Sequence, residues 1–112
     1  MLTIDSLRAW GADIETGLNR CINNEAFYLR LVDKCIRDEA FVQLKASVEA
    51  GDLARGFELA HALKGTTSNL ALDPVSRPVT EITELLRSRT DTDYSVLLNQ
   101  IMSERDALIN LL

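Results

Sequence analysis

Apolar residues recur at three- and four-residue steps through most of this chain, and short polar or glycine-containing breaks divide the pattern into segments. That period predicts α-helix. Val, Ile and Thr do not gather into alternating runs, so strands are not expected. Thr3 or Asp5 can cap a short helix that runs to Trp10 and ends at Gly11. A second short helix fits Asp13 to about Cys21, with Ile14, Leu18 and Cys21 on one side. The Asn23-Asn24 break then offers Asn24 as the cap of EAFYLRLVDKCI. Tyr28, Leu31, Val32 and Cys35 keep helical spacing there, and Phe41, Leu44 and Val48 resume it. Between them the stripe slips across Arg37-Asp38-Glu39, which predicts two helical segments joined by a bend and ending at Gly51.

Asp52 caps the next run, LARGFELAHALKGTTSNLAL, whose helix is predicted to reach about Leu70. Asp73-Pro74 and Arg77-Pro78 punctuate its exit. Proline is welcome in a first helical turn and disfavours helix for the residue before it. The following helix is therefore expected to start between Pro74 and Pro78, carry Val79, Ile82, Leu85 and Leu86, and stop near Ser88. A last helix follows Thr90-Asp91-Thr92 as its capping region, with a stripe of Tyr94, Leu98, Ile101, Arg105, Leu108 and Leu112. Four substantial amphipathic helices joined by short turns predict an all-α fold, an antiparallel up-down four-helix bundle over about residues 24–112. Short N-terminal helices over about 3–22 would cover one end. With no linker or internal repeat, residues 1–112 are expected to form one domain.

Composition narrows the function classes. The net charge is −5, and the twelve basic residues are scattered from Arg8 to Arg105 without a stripe or interleaved aromatics, so nucleic acid is not an expected partner. No apolar run is long enough to cross a bilayer, and MLTIDSLRAW lacks the form of a secretory signal. A cytoplasmic protein without membrane association is the expectation. Met1 directly before the first helix favours a free-standing protein. Cys21 and Cys35, among apolar neighbours and in no zinc-ligand spacing, are expected to be buried reduced thiols. The carboxylates form no spaced metal-binding cluster, and a lone histidine cannot complete a Cys/His set.

That histidine, His61, holds the chain's main chemical interest. At about 100° per residue, Leu59, Leu63, Thr66, Thr67 and Leu70 share one arc of the helical wheel with Ala60 and Gly56. His61 lies opposite, flanked by Phe57, Lys64, Gly65 and Ser68. A plain surface histidine satisfies the same wheel, but its neighbours are suggestive. The Lys64 ammonium disfavours a protonated imidazole and so favours the nucleophilic neutral ring, and it would attract a phosphoryl group placed on that ring. Gly65 weakens the helix by about 1 kcal/mol relative to alanine and leaves space beside the ring. Phe57 either offers an exposed aromatic for docking or packs under the N-terminal helices.

AHALKG, residues 60–65, resembles the H-x-L-K-G motif of histidine-containing phosphotransfer (HPt) domains of bacterial phosphorelays. GLNRCINNEAFYLRLVDKCI resembles the helix pair that opens such domains, and SVEAGDLARGFELAHALKGTTSNLAL the turn, acidic cap, active-site helix and exit. The likeness covers roughly residues 4–72. It implies a domain that takes a phosphoryl group from a receiver-domain aspartate onto His61 and passes it to another receiver, with no autonomous kinase activity. Lys64 matches the lysine that steadies the phosphoryl group, and Gly65 the glycine that leaves it room. Phe57 and Ser68 are the expected partner-binding positions. The partners implied are response-regulator receiver domains and a hybrid sensor kinase, met by a monomer. No cofactor is expected on this chain, Mg²⁺ belonging to the receiver. Two positions depart from the family pattern. The glycine often found ten residues after the histidine is Ala71, and the acidic or glutamine position about twenty-two after it aligns with Thr83, between Glu81 and Glu84. These differences, with the Pro74/Pro78 loop, bear on partner choice more than on activity.

Two other readings compete. A non-transferring adaptor would bind a receiver through Phe57 and its neighbours without exchange. The phosphoacceptor region of a sensor kinase also places histidine on a helical bundle, but it needs an ATP-binding domain, and no glycine-rich nucleotide motif is present.

Overall fold

Short polar side chains start most of the helices. In the computed structural model, which describes all 112 residues, the chain forms seven α-helices and no strand. Thr3 Oγ1 accepts from the Ser6 N–H while Ser6 Oγ accepts from the Thr3 N–H, both at 3.0 Å, a reciprocal capping box that opens α1 (Ile4–Trp10). Asp13, Asn24 and Asp52 each accept a backbone N–H three residues on and open α2 (Ile14–Arg20), α3 (Glu25–Ile36) and α5 (Leu53–Asn69). Each such cap contributes about 1 kcal/mol to its helix. The slip across residues 37–39 is a break between α3 and α4 (Ala40–Glu49), where Asp38 Oδ1 accepts the Ala40 N–H at 2.9 Å.

Two expected helix starts need correction. α6 (Asp73–Arg87) begins at Asp73, ahead of the Pro74–Pro78 interval, and carries Pro78 inside it. Pro74 costs little in the first turn, whose N–H groups have no intrahelical partner. Pro78 forfeits one hydrogen bond, but Val75, Ser76, Pro78 and Val79 are all buried there, and that packing outweighs the missing bond. α7 (Ser95–Ile109) is not capped by Thr90, Asp91 or Thr92. Asp93 Oδ1 accepts the Ser95 N–H at 2.9 Å, and the Thr90 carbonyl instead accepts the Tyr94 hydroxyl at 2.7 Å. Leu112 falls beyond the end of α7 and is half-buried.

α5 packs on both α4 and α6, α6 on α7, and α4 also meets α7. Phe41, Leu44, Leu63, Ile82, Leu86 and Ile101 are among the fully buried side chains of this helical bundle. Gly56 brings α5 close to α4, since a Cβ there would stand 2.8 Å from Val48 Cγ2. Of the N-terminal helices, α1 meets α2 and α7, while α3 meets α2 and α7. The Trp10 indole N–H donates to Glu104 Oε2 at 3.0 Å, tying α1 to α7. Arg105, the polar member of the α7 stripe, donates from Nε to the Ile36 carbonyl at the end of α3 (3.4 Å). That carbonyl is among those a helix C-terminus leaves without an internal partner.

The exit of α5 is locked from below. The Tyr28 hydroxyl is buried and donates to the Leu70 carbonyl at 2.9 Å. Gly17 of α2 makes room for this bond, because a Cβ there would come within 2.6 Å of Tyr28 Cε1 and 2.9 Å of the Leu70 oxygen. Cys21 and Cys35 are free buried thiols, as their surroundings in the sequence led us to expect. Burial pushes the Cys35 thiol up to about 12.

Candidate functional site

The position of His61 follows from the two faces of α5. Gly56, Leu59, Ala60, Leu63 and Thr67 turn inward and are buried, which leaves His61 exposed on the opposite face. Thr66 departs from the wheel. It is exposed, with its hydroxyl donating to the Ala62 carbonyl at 3.2 Å. Thr66 lies at the edge of the apolar arc, on the side where α3 and α5 leave a groove between them.

That groove is one flank of the imidazole. Its volume is about 730 Å³, and His61, Gly65 and Thr66 of α5 line it opposite Leu31, Lys34 and Cys35 of α3 and Asp38 of the break that follows. A Cβ on Gly65 would meet nothing within 4 Å. No internal packing therefore demands glycine at this position, and its missing side chain widens the open space beside the ring.

The other flank faces α6 and is filled by charge and aromatic contacts. The Phe57 and His61 rings stack with centroids 5.7 Å apart and planes 20° from parallel. Arg87 Cζ lies 5.0 Å from the Phe57 centroid, within the range of a cation–π contact. Lys64 Nζ donates to Glu84 Oε1 at 3.3 Å, and Arg87 Nε donates to Glu84 Oε2 at 3.2 Å. The Lys64 ammonium, and next the Arg87 guanidinium, hold the Glu84 carboxyl below the usual carboxylate range.

Of the residues singled out in the sequence, Phe57, Lys64 and Gly65 thus lie within about one turn of His61 but in different roles, while Ser68 lies about two turns along α5. Phe57 is half-buried against His61 and Arg87. Gly65 opens onto the groove, while Lys64 turns to the opposite flank, where Glu84 compensates its charge. Ser68 is exposed, and its carbonyl accepts from Arg20 Nη1 at 2.6 Å. Thr83 takes no part. It is fully buried, with its hydroxyl donating to the Val79 carbonyl at 2.6 Å. Ala71 is also buried, in the left-handed region at φ 56, so it shapes the turn and offers no surface to a partner.

Glu84, Arg87 and the α3 wall of the groove were not anticipated as site residues. The sequence held a signal for the first two. Val79, Ile82, Thr83 and Leu86 form the buried stripe of α6, which turns Glu84 and Arg87 outward three residues apart. No three His, Cys, Asp or Glu side chains converge anywhere to hold a metal ion, and no helix is long and apolar enough to cross a membrane.

Comparison with known families adds one match. The family model described as Hpt domain fits residues 37–111, which takes in α4 to α7 with His61, Lys64, Gly65 and Glu84 and leaves α1 to α3 outside. No curated protein and no solved structure matches the chain.

Proposed function

Because the chain belongs to the Hpt domain family, whose members carry phosphoryl groups in two-component signalling, we propose that His61 is its phosphoacceptor. The observation that carries this reading is the chain's only histidine, exposed on the rim of an open groove beside a glycine that nothing inside the protein requires. The lone pair of the unprotonated ring nitrogen attacks the phosphorus of a receiver's aspartyl phosphate. The P–O bond to the aspartate breaks, and its electron pair leaves with the carboxylate. A second receiver's aspartate reverses these steps and takes the phosphoryl group away.

Each neighbour has a part. Lys64, one turn along α5, supplies positive charge for the phosphoryl oxygens once it leaves Glu84. Gly65 gives the phosphoryl group and the incoming receiver clearance on the groove side. Phe57 holds the imidazole by stacking, and with Ser68 it forms part of the receiver's docking face. We assign the Mg²⁺ of the exchange to the receiver, because Glu84, the carboxylate paired with Lys64, is already shared by two cations. The same proposal takes residues 1–112 as one monomeric cytoplasmic domain, fed by a hybrid sensor kinase. In it α3 to α7, over about residues 24–112, form an antiparallel up-down bundle in which α3 and α4 are two segments joined by a bend, with α1 and α2 over one end.

The test is phosphoryl exchange with phosphorylated receiver domains from the same genome. Wild-type protein is expected to gain acid-labile, base-stable phosphate, and His61→Gln none. Equal labelling of the two proteins, or no labelling of wild type by any active receiver, would remove the assignment.

A further inference from the structure

Two cations share one carboxylate beside His61. Lys64 of α5 and Arg87 of α6 both donate to Glu84, so the resting cluster has one more positive than negative charge. Arg87 also lies over Phe57, and Phe57 stacks on the imidazole. The whole arrangement occupies the α6 flank of the ring, while the clearance left by Gly65 is on the α3 flank. All three charged side chains remain between one third and about one half exposed, so their partners can exchange.

A phosphoryl group adds between one and two negative charges at neutral pH and three strong acceptor oxygens. Placed on His61, it competes with Glu84 for the Lys64 ammonium. We propose that Glu84 is a positioning residue that withholds Lys64 from the phosphorylated ring and so shortens the lifetime of the phosphohistidine. This inference rests on the phosphoacceptor role of His61 and adds a restraint built into α6. Glu84 keeps the phosphoryl group labile for onward transfer, and Arg87 moderates that hold by drawing on the same carboxylate. A longer-lived phosphohistidine is the expected consequence of neutralising Glu84, and the effect must pass through Lys64.

The experiment loads His61 with phosphoramidate, in which the imidazole nitrogen displaces ammonia from phosphorus, and follows hydrolysis after the donor is removed. Wild type, Glu84→Gln, Lys64→Ala and the double variant are compared at low and high salt, with circular dichroism confirming the fold of each. Glu84→Gln is expected to lengthen the half-life about threefold at low salt, the scale of an exposed ion pair, and less at high salt. Lys64→Ala is expected to shorten it, and the double variant to match Lys64→Ala. An unchanged or shorter half-life in Glu84→Gln would overturn the role of Glu84 alone, as would the same lengthening in the Lys64→Ala background. Wild type that gains no phosphate on His61 would overturn this inference together with the function on which it rests.

Discussion

Ile22 takes φ 52 in the turn between α2 and α3, with its side chain 83% exposed. A β-branched residue in the left-handed region is strained, and here no burial of the side chain offsets that strain. Asn23 follows at φ 55, a conformation that asparagine tolerates better. Ile22→Gly is therefore expected to raise stability by about 1 kcal/mol, read as a higher urea midpoint with an unchanged slope. Ala71 adopts the same region at φ 56, but inside the protein at the exit of α5, where its carbonyl accepts the Asp13 N–H at 3.0 Å. A glycine would meet the same backbone need without strain, so Ala71 concerns the turn's conformation.

Within α5, two glycines of equal helix propensity do opposite jobs. Gly56 lets α4 approach, and a methyl there would press on Val48 at 2.8 Å. Gly65 has nothing within 4 Å. Alanine improves either position by about 1 kcal/mol through helix propensity, but overpacking at a close helix contact costs about 1–3 kcal/mol. Gly65→Ala is expected to stabilise by about 1 kcal/mol, and Gly56→Ala to destabilise by about 1 kcal/mol once the two terms are combined. Thermal unfolding of both variants checks this. The stabilised Gly65→Ala should also accept phosphoryl groups from receivers more slowly than wild type, since its methyl stands in the clearance beside His61. A stability gain coupled to a loss of transfer would separate a functional glycine from a packing one.

For the molecule as a whole, the joint between the N-terminal helices and α5 sets its response to alkali. Burial is the main cause pushing both the Tyr28 hydroxyl and the Cys35 thiol up to about 12. Their ordinary values are 10.0 and 9.0, so the folded state keeps its protons in a range where the unfolded chain releases them. The stability this provides is whole below pH 9 and is lost as the pH rises toward about 12. Ionisation of Tyr28 also removes the donor of its bond to the Leu70 carbonyl. The urea midpoint is expected to fall steadily through this window, and Cys35→Ala to flatten the fall at its lower end. An unchanged midpoint up to pH 12 would contradict the burial of these groups.

The sequence alone determined the all-helical class, the caps at Asn24 and Asp52, the break at residues 37–39 and the outward face of His61, while it left Thr3 and Asp5 as alternatives for α1 and counted Asp13, the cap of α2, within its helix. All of these depend on hydrogen bonds and side-chain directions within about one helical turn, which neighbours in the chain fix by themselves. It misplaced the start of α6, because the burial of Pro78 lies outside any local rule, and it placed the cap of α7 too early, since Asp93 and not Thr90, Asp91 or Thr92 accepts the Ser95 N–H. Lys64 and Gly65 read as a pair, yet they serve opposite flanks of the imidazole. Only the tertiary structure decided that Lys64 meets Glu84, twenty residues away, that Arg87 lies over Phe57, and that α3 walls the groove beside Gly65. Those contacts exist because separate helices pack at particular distances and rotations, and no periodicity within one helix encodes which faces will meet.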